Sequence, residues 1–131
     1  MDMVLTAVSA GGKKIDTSFD GYTVRTDVLE SSGGEGTAPE PLDMLFVALV
    51  SCAANYAVAF CQSRDIDTGG LAVRLNAKRS EETGLFDDLT VRLDLPEDFP
   101  EKYRKAIVRA VNQCSVKKHL KASIEVATEL A

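Results

Sequence analysis

The longest apolar stretch of the chain runs from Pro41 to Arg64, and its pattern predicts a buried helix. Between Met44 and Cys61 almost every side chain is apolar or small, on all sides of the predicted helix. A helix of that kind is buried all round rather than lying half in water. Pro41 suits a first helical turn, where its missing N–H needs no partner, and Asp43 adds a negative charge where the helix dipole favours one. The pattern therefore predicts a long central helix that the rest of the fold packs around.

A membrane span is the rival interpretation of this stretch, because about 18 apolar residues is the lower edge of what crosses a bilayer. Ser51 and Asn55 lie near its midpoint, and its many alanines are only weakly attracted to lipid. The chain also contains amphipathic strands that need an apolar element to pack on. We therefore predict a core helix and no membrane insertion.

Alternating apolar and polar residues before and after the helix predict strands. The second and third strands are joined by a tight turn at Asp20-Gly21, where both residues accept positive φ. A polar, glycine-rich loop over 29–39 then leads to the helix. Two later segments predict an antiparallel hairpin with one apolar face. The predicted strands span 4–8, 13–19, 22–26, 71–78 and 89–95.

An amphipathic helix is predicted from Pro100 to about Gln113, with apolar and basic residues on opposite faces. Ser115 is the predicted cap of a short helical piece that follows, and residues 122–128 alternate as a closing strand would. Strands separated by single helices are typical of an α+β fold with largely antiparallel sheet. The 131 residues have the length of a single domain, predicted over 1–131, that can bury a core.

Charge and cysteine content narrow the classes of function. The chain carries 20 acidic and 15 basic residues, for a net charge of −5. An acidic surface repels phosphate backbones, so no nucleic-acid partner is predicted. The N-terminal residues lack the basic and apolar regions of a signal peptide, and three cysteines, an odd number, favour free thiols in a reducing compartment. We therefore predict a cytoplasmic protein.

Cys52 and Cys114 are the candidate chemical pair, since each lies on the inward face of its predicted helix. Two helices packed on one sheet could bring the sulfurs together. Most buried free cysteines are only small core residues, and that interpretation stays open. Cys61 comes nine positions after Cys52 and therefore lies on the opposite side of the helix, so we predict it to be inert.

Metal and serine-hydrolase sites are poorly supported. His119 is the only histidine and no Cys-x-x-Cys spacing occurs, so we predict no metal site and no cofactor. His119 also lies in a lysine-rich stretch without a matching nucleophile motif. The glycines of residues 33–36 lack the strand and the Gly-Lys-Ser/Thr ending of a phosphate loop, which predicts a flexible loop there.

Two segments of the chain resemble the OsmC/Ohr family. Gly33–Leu45 followed by Ala48–Cys52 is similar to the family's loop and central helix, which carry a pattern of the type NP-x-E-x-L-L-x-x-x-L-x-x-C. Val111–Val116 resembles its second site, usually Cys-Pro-Val-Ser. The resemblance implies an OsmC-like α+β fold, with antiparallel sheets wrapped around the central helix, in an intertwined homodimer with active sites at the subunit interface.

The resemblance also implies a thiol-dependent peroxidase that reduces organic hydroperoxides in oxidative-stress defence. Cys52 would match the peroxidatic thiolate, which attacks the peroxide and becomes a sulfenic acid. Cys114 would match the resolving thiol, which condenses with that sulfenic acid to a disulfide. A dithiol reductant, in the family often a lipoylated protein, then reduces the disulfide. The apolar surroundings of Cys52 fit a fatty or aromatic hydroperoxide.

A desolvated thiol needs a nearby cation, because burial raises its pKa. The family uses an arginine from the N-terminal strands, held by an acidic residue early in the central helix. Lys14 falls where that arginine belongs, Arg25 is the other candidate, and Asp43 takes the acidic position. Ser115 replaces the usual proline after Cys114.

A second hypothesis remains open beside the peroxidase. The chain would then be an OsmC-like module that binds an apolar small molecule or a partner in the same pocket, with cysteines that only pack. In that case Asp43 would serve the helix dipole alone, and Lys14 and Arg25 would be solvated strand residues. A peroxidase needs one of those two cations near Cys52, whereas a binding module does not.

Overall fold

The computed structural model describes residues 2–131 and has an α+β architecture. The chain divides into two units, one ending at Phe46 and the other beginning at Val47. The division falls within the long helix α1, Pro41–Gln62. The other elements are β1 (Thr6–Ser9), β2 (Ile15–Phe19), β3 (Tyr22–Thr26), β4 (Ala72–Arg79), β5 (Phe86–Asp94), α2 (Arg104–Val111) and α3 (Ser115–Lys121), with short 3-10 turns at Glu30–Ser32 and Glu101–Tyr103.

The first unit contains the antiparallel sheet β1-β2-β3. Phe19 pairs with Tyr22 across the turn between β2 and β3. Asp20 and Gly21 in that turn have φ of 47° and 82°, as a two-residue turn that matches the twist of the strands requires. The three predicted strands and the turn are therefore confirmed, although β1 and β2 begin two residues later than predicted.

The loop between β3 and α1 is organised by Asp27, whose side chain is buried. Its carboxylate accepts hydrogen bonds from the Val28 N–H at 2.8 Å and from the N–H and hydroxyl of Thr37 at 3.1 and 2.8 Å. A Cβ at Gly34 would lie 2.1 Å from the Val28 carbonyl oxygen, so this position requires glycine. These internal contacts hold the loop, for which the sequence had predicted flexibility. The role of Asp27 was not predicted from the sequence.

Acid should weaken the fold through Asp27. The hydrogen bonds from Thr37, followed by that from Val28, lower the carboxyl pKa from 3.8 to about 2. Because the folded chain has the lower pKa, this contribution to stability is complete above the unfolded pKa and is lost as pH falls from about 4 towards 2. We expect Asp27→Asn to be less stable at pH 7 and to lose less of its remaining stability over that acidic range.

Thermal unfolding midpoints measured from pH 7 down to pH 2 check this expectation. Asp20→Asn is the matched control, since it removes a carboxylate from an exposed turn where asparagine also accepts positive φ. Parallel curves for Asp27→Asn and the parent protein would contradict the role given to Asp27.

The second unit packs α1 and α2 against the hairpin of β4 and β5. The hairpin is antiparallel, with Ala72 paired to Asp94 and Leu75 to Val91. One side of α1 contacts the apolar face of α2, where Ile107 is completely buried. The buried core consists of Ala53, Ala57, Phe60, Cys61, Phe99, Ile107 and Val111. The predicted hairpin and both predicted helices are confirmed, although β5 begins three residues early and the second helix opens with a 3-10 turn.

Within the single chain α1 is buried along one side only, whereas the sequence predicted burial all round. Only 28% of its most apolar 18-residue window is buried, and Val47, Ser51 and Asn55 are exposed on the other side. By length and composition alone α1 could cross a membrane. One side of α1 packs on the core of the second unit.

The predicted closing strand over 122–128 is wrong for the single chain. Residues 122–131, all described by the structure, form neither helix nor strand. The alternating pattern is present, but a strand also needs a hydrogen-bonded neighbour, and none of the strand pairs of the described chain includes this segment.

Candidate functional site

Cys52 and Cys114 belong to distant parts of the second unit's sequence and lie near each other in its fold. Cys52 lies in the middle of α1 and is half-buried, while Cys114 lies at the junction of α2 and α3 and is 1% exposed. The Cys114 N–H donates to the Val111 carbonyl, and its carbonyl accepts from the Lys118 N–H. Cys114 is therefore the residue that precedes α3, and Ser115, predicted as the cap, is the first residue of that helix.

The contact of Cys52 across the chain is with the residue after Cys114: the Ser115 Oγ lies 3.7 Å from the Cys52 Sγ. The Cys114 thiol is also near enough to lower the pKa of Cys52, and Cys52 raises the pKa of Cys114. The structure thus brings the two predicted cysteine segments together and places a hydroxyl donor beside Cys52 that the sequence did not predict.

These contacts separate the acidities of the two thiols. Burial opposes ionisation of Cys52, but hydrogen bonds from Cys114, Val116 and Ser115 outweigh it, so the pKa of Cys52 is lowered. Burial raises the pKa of Cys114, and its hydrogen bond to Cys52 raises it further. The pair shares its protons and titrates as a unit, with Cys52 as the thiol that becomes the thiolate first.

Cys61 has no part in this arrangement. It is completely buried in the core of the second unit. Burial raises the pKa of its thiol, while the positive charge of Arg64 acts in the other direction. A buried thiol of raised pKa is a poor nucleophile, and this agrees with the interpretation of Cys61 as a packing residue.

Lys14 and Arg25, the predicted cations, both have carboxylate partners within the first unit. Lys14 Nζ lies 3.0 Å from Glu35 Oε1. Arg25 forms a bidentate ion pair with Asp16, in which Nε donates to Oδ1 at 2.7 Å and Nη2 donates to Oδ2 at 2.8 Å. The hydrogen bonds of that pair raise the pKa of Arg25 and lower the pKa of Asp16.

Asp43 lies in the first turn of α1. Its Oδ2 accepts a hydrogen bond from the Glu40 N–H at 3.0 Å. A carboxylate that bonds a free backbone N–H at this end stabilises the start of a helix. The structure therefore gives Asp43 the local role that the sequence reading had kept open.

Two clefts open beside the hairpin, apart from the thiols. The larger, of about 550 Å³, lies between β5 and α2, and the smaller, of about 350 Å³, includes Leu49 of α1 and Leu120 of α3. Neither cleft is lined by Cys52 or Cys114. Across residues 2–131, no three His, Cys, Asp or Glu side chains are grouped as a metal site needs. The larger cleft has five apolar lining residues, Val91, Leu93, Leu95, Val108 and Val111.

Comparison with known proteins adds a family and a fold. A sequence profile of OsmC-like proteins matches residues 34–129, and no curated protein matches the chain. A protein from Psychrobacter arcticus 273-4, named for osmotic stress induction and detoxification response, is 17% identical, covers 91% of this chain and 89% of its own, and has a TM-score of 0.76. An OsmC-like protein from Mycoplasma pneumoniae is 17% identical over 92% of this chain and 88% of its own, with a TM-score of 0.72.

An organic hydroperoxide resistance protein from Legionella pneumophila is also similar in structure. It is 16% identical, covers 92% of this chain and 90% of its own, and has a TM-score of 0.59. At these identities the likeness to solved structures establishes the fold alone.

Proposed function

Because this chain belongs to the OsmC-like protein family, we propose that it is a thiol-dependent peroxidase that reduces organic hydroperoxides in oxidative-stress defence. The approach of the Cys114–Ser115 segment to Cys52, with 3.7 Å between the Ser115 Oγ and the Cys52 Sγ, carries the proposal. It combines a half-buried thiol of lowered pKa with a buried thiol of raised pKa. This is the order of reactivity that a two-thiol peroxidase needs, with an accessible attacking thiolate and a protected second thiol.

The first step takes place at Cys52. Its thiolate attacks the distal oxygen of the hydroperoxide, so that an S–O bond forms and the O–O bond breaks. The sulfur loses two electrons and becomes a sulfenic acid, while the alkoxide takes up a proton and leaves as an alcohol. The donors around Cys52 lower its pKa and so favour the thiolate that attacks.

The second step takes place at Cys114. Its sulfur attacks the sulfenic sulfur of Cys52, so that the disulfide forms and the hydroxyl group leaves with the Cys114 proton as water. A dithiol reductant, such as a lipoylated protein, then restores both thiols by exchange and becomes a disulfide itself.

Lys14 and Arg25 are the candidate cations that would assist the donor at residue 115 in stabilising the Cys52 thiolate. The Nε and Nη2 groups of Arg25 both donate to the carboxylate of Asp16. Lys14 pairs with Glu35 through one of the three N–H donors of its ammonium group. The two other donors favour Lys14 over Arg25 for this role. Asp43 accepts a hydrogen bond from the Glu40 N–H and so stabilises the start of α1, the helix that carries Cys52.

We also propose that the 131-residue domain works as a homodimer in the cytoplasm. The exposed side of α1 supports a second copy, and so does the unpaired segment 122–128. That segment carries Ile124 and Val126 in strand alternation, 59% and 88% exposed. An unpaired segment with this alternation could add as a strand to a sheet edge of a second copy. A molar mass in solution of twice that of one chain supports the dimer, and that of a single chain contradicts it.

Consumption of peroxide with a dithiol reductant tests the proposed activity. We would supply dihydrolipoamide and compare cumene hydroperoxide with hydrogen peroxide at equal concentration. We expect turnover with both and faster turnover with the organic substrate, because Cys52 lies within the apolar stretch Met44–Cys61. Ser51→Ala is the matched control, since the Ser51 hydroxyl bonds the Val47 carbonyl at 2.6 Å. Consumption no faster than in the absence of protein would contradict the proposal.

The larger cleft favours one alternative, a module that binds an apolar small molecule without peroxidase turnover. Its five apolar lining residues offer a hydrophobic surface. Val108 is 49% exposed there, so Val108→Asp changes the cleft without disturbing the core. Binding of an apolar fluorescent probe that is lost in Val108→Asp, together with no peroxide turnover, would favour this alternative.

A further inference from the structure

We infer that Ser115 is a catalytic hydrogen-bond donor to the sulfur of Cys52, a role that the proline usual at this position cannot fill. This inference deepens the proposed function, on which it rests, by naming a residue that acts on the reacting atom. It depends on the contact of 3.7 Å between the Ser115 Oγ and the Cys52 Sγ.

The direction of this hydrogen bond follows from the charge of the sulfur. A thiolate can only accept hydrogen bonds, whereas a serine hydroxyl can donate one. Once Cys52 is ionised, the proton of the Ser115 hydroxyl therefore points at the sulfur. A hydrogen bond to an ionised group is stronger than one between neutral groups, so the contact favours the thiolate over the thiol.

Ser115 differs from Cys114, the other side chain that lowers the pKa of Cys52. A thiol is a weaker donor than a hydroxyl. The proton of Cys114 is also consumed when that residue attacks the sulfenic acid. Ser115 is not consumed, so it donates to the Cys52 sulfur group before and after the first step.

A serine at residue 115 offers Cys52 a donor that a proline would lack. Proline has neither a hydroxyl nor a backbone N–H, whereas the Ser115 hydroxyl lies 3.7 Å from the Cys52 Sγ. The cations that the sequence reading assigned to Cys52 have carboxylate partners in the first unit. The hydroxyl of residue 115 thus adds to the stabilisation of the thiolate that a cation would supply.

Alkylation of Cys52 as a function of pH tests the inference without peroxide. We would treat the reduced protein with iodoacetamide and follow the Cys52 peptide by mass spectrometry. In Ser115→Ala, we expect the midpoint to move to higher pH and the rate at pH 7, relative to its high-pH plateau, to fall about fivefold. Ser115→Thr keeps the hydroxyl and should restore the parent profile.

Two further variants separate the hydroxyl from the fold. Ser115→Pro should fold, because proline suits the first residue of a helix, and it should move the midpoint further than Ser115→Ala because it removes the N–H as well. Ser51→Ala removes a neighbouring hydroxyl that bonds the carbonyls of Val47 and Ala48 instead of a thiol, and its profile should match that of the parent.

The outcomes distinguish this inference from the proposed function. A shifted alkylation profile in Ser115→Ala, with no peroxide turnover in any variant, would support the donor and overturn the peroxidase. Turnover by the parent protein, with superimposable profiles for the parent, Ser115→Ala and Ser115→Pro, would overturn the donor and leave the peroxidase standing.

Discussion

Replacing Cys52 with serine is expected to abolish peroxide consumption and peroxide-dependent disulfide formation. A serine hydroxyl in this place stays protonated and does not attack a peroxide oxygen. The remaining thiols cannot substitute for it, because Cys61 and Cys114 are both buried and both have raised pKa values. The rate should fall at least about a thousandfold, to that of the uncatalysed reaction, as is usual when an enzyme loses its nucleophile. Stopped-flow or end-point measurement of an organic hydroperoxide, with dithiol in excess, gives this rate.

Cys61→Ala is the matched control for this experiment. It removes a thiol from the same helix, nine positions further on, and it should keep full activity at a temperature where the variant is folded. Peroxide consumption that survives in Cys52→Ser and disappears in Cys61→Ala would contradict the assignment of the peroxidatic residue. Circular dichroism of both variants separates a loss of chemistry from a loss of fold.

Replacing Cys114 with serine is expected to stop turnover after the first step. The serine hydroxyl can still donate to the Cys52 sulfur, so one equivalent of hydroperoxide should still react. Without a second thiol no internal disulfide forms, and Cys52 accumulates as a sulfenic acid that further peroxide converts irreversibly to a sulfinic acid. We expect multiple-turnover consumption to fall about a hundredfold or more, with one alcohol formed per site.

Dimedone labelling and mass spectrometry measure this sulfenic acid. The label should appear on Cys52 in Cys114→Ser after one equivalent of hydroperoxide, and it should be much weaker in the parent protein, where Cys114 consumes the intermediate. Unchanged multiple turnover in Cys114→Ser would mean that the dithiol reductant attacks Cys52 directly, and Cys114 would then lose its resolving role.

The elements encoded by local patterns were predictable from the sequence. The apolar run of α1 and the strand alternation around Asp20-Gly21 each reflect interactions between residues that are close in the chain. The approach of the Cys114 segment to Cys52 was also predictable, because each thiol lies on the inward face of its predicted helix and the segments around both resemble one family. Periodicity cannot reveal whether a strand finds a neighbour, which explains the wrong prediction for residues 122–128.

The donors around Cys52 were not predictable from local patterns. Cys52 is in the middle of its own helix, so the sequence reading assigned its activation to a cation from the N-terminal strands. The structure places the Ser115 hydroxyl, from the junction after α2, 3.7 Å from the Cys52 Sγ. That contact joins residues 63 positions apart, and nothing in the spacing alone indicates it. The role of Asp27 was not predictable either, because its partner Thr37 is ten positions away and comes into contact only in the folded loop.

Disulfide mapping after a stoichiometric peroxide challenge tests the central claim most directly. The reduced protein would receive one equivalent of an alkyl hydroperoxide, free thiols would be blocked, and the peptides would be identified by mass spectrometry. We predict a rapid, near-complete bond between Cys52 and Cys114, with Cys61 left reduced. Slow oxidation scattered over all three cysteines would contradict the claim that Cys52 and Cys114 form a peroxide-reducing pair.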